Sequence, residues 1–416
     1  MAWIKISNLV SIRGGISPNG QLARRYKTVH VSCDYKDSSQ KPVHQDMILI
    51  SKEDVKRFYD DFYRFLSSCN INGVKTDGQY LLDTLVSPTH RRDLIKSYLD
   101  AWTSSHLRHL NGNVISCMSL APPITFHSQL PVNRPTFVCR NSDDYFPSDA
   151  SSHPWHVWAN AHVSLFSHHL NVLPDWDMFQ TKPPTDEDVD YSAFHAAARC
   201  VSGGPIYITD VPGRHDLKLI QQMTGVTPRG KTVIFRPSVP GRSLDVYVGY
   251  DDRNSATATL LKVGAYHGRA APHGIGIIGV FNVTERPGNV TEVLPLNKFH
   301  GVVATLNKDG PPLKYVVRSH VSGKVTKPMA VDDGPSAGVV VSLEARGWDV
   351  LSAYPLLTVT PSKGTEEVSL ANLGLLGKIT GCAAVLGTSV KALENGRILI
   401  NATVKALGVL GEYQSI

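Results

Sequence analysis

The sequence has no apolar stretch of the roughly 18 residues that a membrane span requires. Its best candidate, Gly374 to Gly387, is short and interrupted by Lys378. The opening Met-Ala-Trp-Ile-Lys-Ile-Ser-Asn also lacks the continuous apolar core of a signal peptide. Cysteine is sparse, with six residues (33, 69, 117, 139, 200 and 382) in 416 and no Cys-x-x-Cys pair. That argues against a disulfide framework or a cysteine zinc site, and it fits a reducing, cytoplasmic compartment. Sequons begin at Asn282, Asn289 and Asn401, about as many as chance supplies, and do not change this reading. Basic charge is thin too: the net charge of +6 is spread without a Lys/Arg run. A nucleic-acid binder concentrates such charge on one stripe, so neither nucleic acid nor membrane is an expected partner.

What is present is a globular chain, 42% hydrophobic and long enough for two or three domains. Residues 51–66 read as a helix, with Ser51 and Asp54 at capping-box spacing. Val55, Phe58, Tyr59, Phe62, Phe65 and Leu66 form its apolar stripe. A strand follows at Val74–Asp77, then a helix within 90–110 that carries Leu94, Ile95, Tyr98, Leu99 and Trp102. Strand-like runs recur at Val114–Met118, Thr136–Cys139, Asn171–Leu173 and Pro205–Thr209, and a helical pattern covers Phe194–Arg199. Short strands alternating with helices imply a parallel sheet with helical crossovers, closed as a barrel or open. Past about 245 the texture changes. A polar linker at Tyr250–Ser255 precedes β-branched runs at Ile275–Val283, Tyr315–Val321, Gly338–Leu343 and Arg397–Val404. Turn-punctuated strands of this kind read as an antiparallel β-sandwich.

Acids gather at the carboxyl ends of the parallel strands: Asp77, then Asp143 and Asp144, then Asp175 and Asp177, then Asp210. Strand ends of that kind form the active-site face of (β/α) barrels, although Asp is also a common strand-terminating and helix-capping residue. Side chains two apart share a face, so Lys75 lies beside Asp77, and a neighbouring cation favours the ionised carboxylate that a nucleophile needs. By the same parity Arg140, Ser142 and Asp144 point one way and Asp143 the other, if the strand stays regular. Asp175-Trp176-Asp177 offers carboxylates for hydroxyls and an indole for the CH-rich face of a pyranose; a tryptophan that simply anchors the rim is the alternative. Other chemistries are poorly supported. His153, His156, His162, His168 and His169 are dense but form no His-Glu-x-x-His, so no metal is expected. There is no P-loop, Gly203-Gly204 lacks a dinucleotide fingerprint, and Ser202 is not in a nucleophile elbow. No cofactor is implied.

At these strand ends the chain resembles a known family. Gly73-Val74-Lys75-Thr76-Asp77-Gly78-Gln79 is similar to the Lys-x-Asp-x-Gln nucleophile motif of the raffinose synthase/seed imbibition proteins, within the glycoside hydrolase family 36 α-galactosidases. The resemblance continues in order through Ile115–Ser119, Arg140–Pro147, Leu173–Phe179, His195–Tyr207 and Asp210–Asp216, with a fungal flavour. It is strong over about 45–245 and looser in the β-rich tail.

The resemblance implies the C-terminal part of a (β/α)8 barrel over 1–245 and a β-sandwich over 255–416. It implies a retaining mechanism on α-galactosides of the raffinose type. Asp77 would be the nucleophile and Asp144, four residues after Arg140, the acid/base, preferred to Asp143. Lys75, Cys117, Arg140, Asp143, Asp175, Trp176 and Asp177 would bind the oligosaccharide substrate. Hydrolysis is the first expectation; the alternatives are galactosyl transfer to an acceptor sugar and an inactive, truncated family member. One departure stands out. A full barrel needs about 250 residues, whereas Gly73 to Met223 supplies only about five units of the roughly 31 residues each that such a barrel implies. Trp3–Ile12 replaces the family's Trp-His-x-Leu segment ahead of Gly14-Gly15, so the chain looks like the C-terminal half of an enzyme, expected to fold marginally by itself.

Overall fold

The lysine that opens the strand-end series lies on a short strand of a five-stranded parallel sheet, and the aspartate directly follows that strand. The structure, a computed structural model, describes residues 16–36, 39–127, 135–183, 185, 189–245, 250, 259–268, 274–284, 288–305, 312–361 and 366–415, and the backbone of 3–6. Residues 7–15 and most of the expected linker, 251–255, lie outside the described residues. The chain divides into two compact units, 1–141 with 167–175 and 142–166 with 176–416. The boundary expected near 245 falls inside the second.

In the first unit, β1 (Trp3–Ile6) is followed by α1 (Gln21–Arg25) and an antiparallel hairpin of β2 (Thr28–Lys36) and β3 (Pro42–Ile50). Then come α2 (Val55–Ser68), β4 (Gly73–Thr76), α3 (Pro88–Leu110), β5 (Val114–Ser116), α4 (Pro122–His127) and β6 (Phe137–Arg140). After α5 (Ser152–Ser167), which belongs to the second unit save for its last residue, β7 (Val172–Asp175) completes the sheet, in the order β1-β4-β5-β6-β7 with every pair parallel. The sheet is open; among the described residues no pairing closes it into a barrel. The run Pro205–Thr209 forms no strand, only one parallel bridge from Ile208 to Phe179.

Helix α3 begins where Ser87, Pro88 and a free N–H coincide: the Ser87 hydroxyl accepts the His90 amide at 3.3 Å, and proline occupies the first turn. Helix α2 begins later than its capping-box spacing suggests. Asp54, not Ser51, is its N-cap, and the Asp54 carboxylate accepts from the Lys27 amide at 2.7 Å instead of capping. Its buried stripe is Val55, Phe58, Tyr59, Tyr63 and Leu66, while Phe65 is exposed. Tyr63 takes the inward position because it reaches the sheet. These side chains pack with Val74, Val114, Tyr98 and Trp102 into the core of this unit.

The second unit carries α6 (Ser192–Ser202) and a helix at Leu217–Met223, capped by the Asp216 side chain on the Leu219 amide at 3.0 Å. A six-stranded sheet follows, ordered Val239–Ser243, Leu261–His267, Ile275–Phe281, Trp348–Pro355, Lys314–Ser319 and Met329–Ala330, antiparallel throughout. One of its hydrophobic clusters is shared with Val290–Pro295 and Gly338–Leu343, which pair as a separate ribbon. Three further strands and a hairpin at Val385–Ala392 and Ile398–Val404 complete the tail. Among the described residues no helix is long and apolar enough to cross a membrane.

Candidate active site

The parallel register sets the geometry of the first unit's strand ends. Lys75 pairs with Ile115, Ile115 with Val138 and Val138 with Leu173. Two residues on from Val138 and Leu173, the same face carries Arg140 and Asp175, because parity is preserved across partners in a parallel ladder. The ladder extends one step past β5 through the Cys117 amide, which donates to the carbonyl of Thr76, the last residue of β4, at 2.7 Å. Of the expected site residues, Lys75, Arg140 and Asp175 therefore share one face of the sheet, while Asp77 and Cys117 each directly follow the carboxyl end of a strand.

The opposite face is the helix side. Thr76, one residue before Asp77, accepts the Trp102 indole N–H at 2.9 Å and lies 3.3 Å from the Tyr63 hydroxyl, all three buried. The helices thus hold Thr76 from behind, which leaves Lys75 on the face they do not cover. Gly78 follows with φ 75°, in the left-handed region, so the chain turns away immediately after Asp77. Arg140 and Asp175 are in-register neighbours, and Arg140 Nε lies 3.5 Å from Asp175 Oδ2 with both side chains buried. A buried pair of this kind is costly to break, because the remaining charge is left desolvated.

The second unit holds the other expected residues. Strand β6 ends at Arg140, and 141–147 is irregular. The parity rule therefore stops applying before residue 142. Asp143 and Asp144 are both exposed and line the same cleft, so alternation does not separate them.

Trp176 is fully buried in the hydrophobic core, and its indole N–H donates to Ser164 Oγ at 3.1 Å. It cannot offer a ring face to a sugar; anchoring is its role. Asp177 is buried in a left-handed conformation, φ 63°, and its carboxylate accepts the Tyr145 amide at 2.8 Å. Asp210 is likewise occupied, accepting from Thr181 N and Oγ1, each at 2.6 Å, with His215 at 2.9 Å.

What fixes Asp177 was not singled out from the sequence. Arg199 Nε donates to the Asp177 carbonyl at 3.3 Å, and its Nη2 donates to the Met178 carbonyl at 3.1 Å. Its Nη1 lies 2.7 Å from His195 Nδ1. A guanidinium only donates, so His195 Nδ1 accepts and its proton sits on Nε2. His195 Nε2 then donates to His153 Nδ1 at 2.7 Å, and His153 Nε2 donates to the Pro147 carbonyl at 3.2 Å. Burial, then the Arg199 charge and the neighbouring histidines, push the His195 pKa well below its usual value. The chain of neutral tautomers ties the loop after β7 to the loop that carries Asp143 and Asp144. The four-residue spacing of His195 and Arg199 on α6 was the available signal, since it puts both on one helix face.

The family model described as raffinose synthase or seed imbibition protein Sip1 matches residues 13–416. The chain belongs to that family. A galactinol–sucrose galactosyltransferase of Oryza sativa subsp. japonica is 33% identical over 415 residues, covering 90% of this chain and 47% of the relative. A probable galactinol–sucrose galactosyltransferase 1 of Arabidopsis thaliana is 29% identical over 389 residues, covering 88% and 47%. This member of the raffinose synthase family thus spans about half the length of the curated relatives it matches. An α-galactosidase of Saccharomyces cerevisiae solved with raffinose aligns at 8% identity and a TM-score of 0.45, over 78% of this chain and 87% of that one. That likeness is too slight to argue from.

Proposed function

We propose that the chain carries galactosyl-transfer chemistry. Asp77 attacks the anomeric carbon of an α-galactoside as the bond to the leaving oxygen breaks, giving a covalent galactosyl-aspartate. Asp144 donates its proton to that oxygen, then takes one from the incoming hydroxyl as the acceptor oxygen displaces Asp77. Lys75, Cys117, Arg140 and Asp175 are assigned to the galactose side, and Asp143 to the substrate oligosaccharide more generally; Asp177 shapes the loop. The observation that carries this is the shared face of Lys75, Arg140 and Asp175 on one parallel sheet, with Asp77 and Cys117 directly after the carboxyl ends of two neighbouring strands of it. The relatives' names favour galactinol as donor and sucrose as acceptor over water, the acceptor first expected from the family resemblance. The test is to supply galactinol with sucrose and measure free galactose against trisaccharide. Trisaccharide as the main product supports transfer. Free galactose alone makes the chain a hydrolase, and neither product refutes both readings.

A further inference from the structure

The loop after β6 and the start of α5 enclose a cleft of about 390 Å3 within the second unit, inside the ~300–1,000 Å3 range of small-molecule sites. Its walls include Asp143, Asp144, Phe146, Asp149, Trp155 and Tyr250. Two of the aromatics are unusually open: Phe146 is 55% and Trp155 40% exposed. Trp155 is nevertheless braced. It stacks on Trp158 with ring centroids 5.1 Å apart and planes at 24°, and Tyr250 meets it edge-on at 5.0 Å. Tyr250 is itself held by its hydroxyl, which donates to the Ser151 carbonyl at 2.9 Å. A supported indole presented to a cleft is a rigid flat surface, ready to receive a ligand at little entropic cost.

The rest of the wall says which ligand suits it. The carboxylates accept hydrogen bonds, and among the described residues no lysine or arginine lines the cleft. Such a wall repels phosphate and carboxylate ligands and takes neutral molecules rich in hydroxyl donors. The aromatic rings match the CH-rich face of a sugar. Asp144, assigned above as the acid/base, works on the oxygen of the leaving group and then of the acceptor, so its cleft lies on their side of the scissile bond.

We propose that the Phe146–Trp155–Tyr250 cleft is the subsite for the non-galactosyl sugar, first the leaving group and then the acceptor. This rests on the transfer reading, and two measurements separate the two. With galactinol and sucrose, Trp155→Ala lowers the ratio of transfer product to free galactose about tenfold, whereas Trp155→Phe, which keeps a ring face, retains most of it. A ratio untouched by Trp155→Ala, or lowered equally by both changes, overturns the subsite while leaving transfer standing. The second measurement needs no turnover: sucrose is titrated into the Asp77→Ala protein while the Trp155 indole N–H resonance is followed. A saturable shift supports the subsite, and if the parent chain then makes no trisaccharide from galactinol and sucrose, the subsite stands while the transfer reading falls. An unmoved Trp155 resonance, with or without turnover, overturns the subsite.

Discussion

Thr76 sits between the two residues assigned to attack and to charge stabilisation, yet it faces the helices. Thr76→Val keeps its shape and its β-branched preference for the strand, so no cavity is expected. What goes is one oxygen. The Trp102 indole N–H at 2.9 Å loses its acceptor, which costs about 1–3 kcal/mol for a buried donor. The Tyr63 hydroxyl at 3.3 Å is a longer and weaker bond, worth about 1 kcal/mol or less. Together these give about 1–4 kcal/mol, so the free energy of opening β4 and β5 falls and their most protected amides exchange about 5- to 900-fold faster. Native-state hydrogen exchange reads this directly. A double-mutant cycle apportions it: in a Trp102→Phe background, Thr76→Val should cost only the Tyr63 share, leaving a coupling of about 1 kcal/mol or more. Exchange within threefold of the parent, or strict additivity in the cycle, would refute the reasoning, because Thr76 would then not be the acceptor that holds the strand from behind.

Three other outcomes follow from the site. Asp77→Ala should leave less than about a tenth of the activity, since losing a covalent nucleophile costs several kcal/mol of barrier, and Asp77→Gly should regain turnover with azide or formate; substantial activity in Asp77→Ala removes the assignment. Asp144→Ala should slow substrates with poor leaving groups far more than an activated aryl galactoside, and Asp143→Ala should show no such bias; the reverse pattern moves the acid/base to Asp143. His195 stays neutral when folded because burial, Arg199 and the neighbouring histidines depress its pKa, while the unfolded chain binds its proton near the ordinary value. Its contribution to stability is therefore intact above about pH 6.5 and lost at about 1 kcal/mol per unit below that, a slope that His195→Gln should reduce by one proton in Tm measured between pH 7 and 5.

Much of the first unit could be read locally. Strands β4 to β7 are short apolar runs ending at polar residues, and the runs expected from the sequence match their bounds to within two residues. The identity of Lys75, Asp77, Cys117, Arg140 and Asp175 as strand-end residues followed from that, because alternation and strand ends are properties of a few consecutive residues. Helix α3 was legible for the same reason.

Tertiary structure decided the rest. The same indole that could have stacked on a sugar is buried at 176 and open at 155, and nothing in the local sequence around either distinguishes them; what differs is which helix and loop pack over the ring. Asp143 and Asp144 could not be told apart by parity because β6 stops at Arg140, where its pairing with β7 ends at Asp175. The hairpin of β2 and β3 was passed over altogether, and the start of α2 was shifted by a hydrogen bond from Lys27, distant in sequence. His195 read as a helix residue; its single tautomer is dictated by Arg199 on one side and His153, from another helix, on the other. Secondary structure is written by near neighbours. Burial, protonation and which face stays open depend on long-range partners that only the fold assembles.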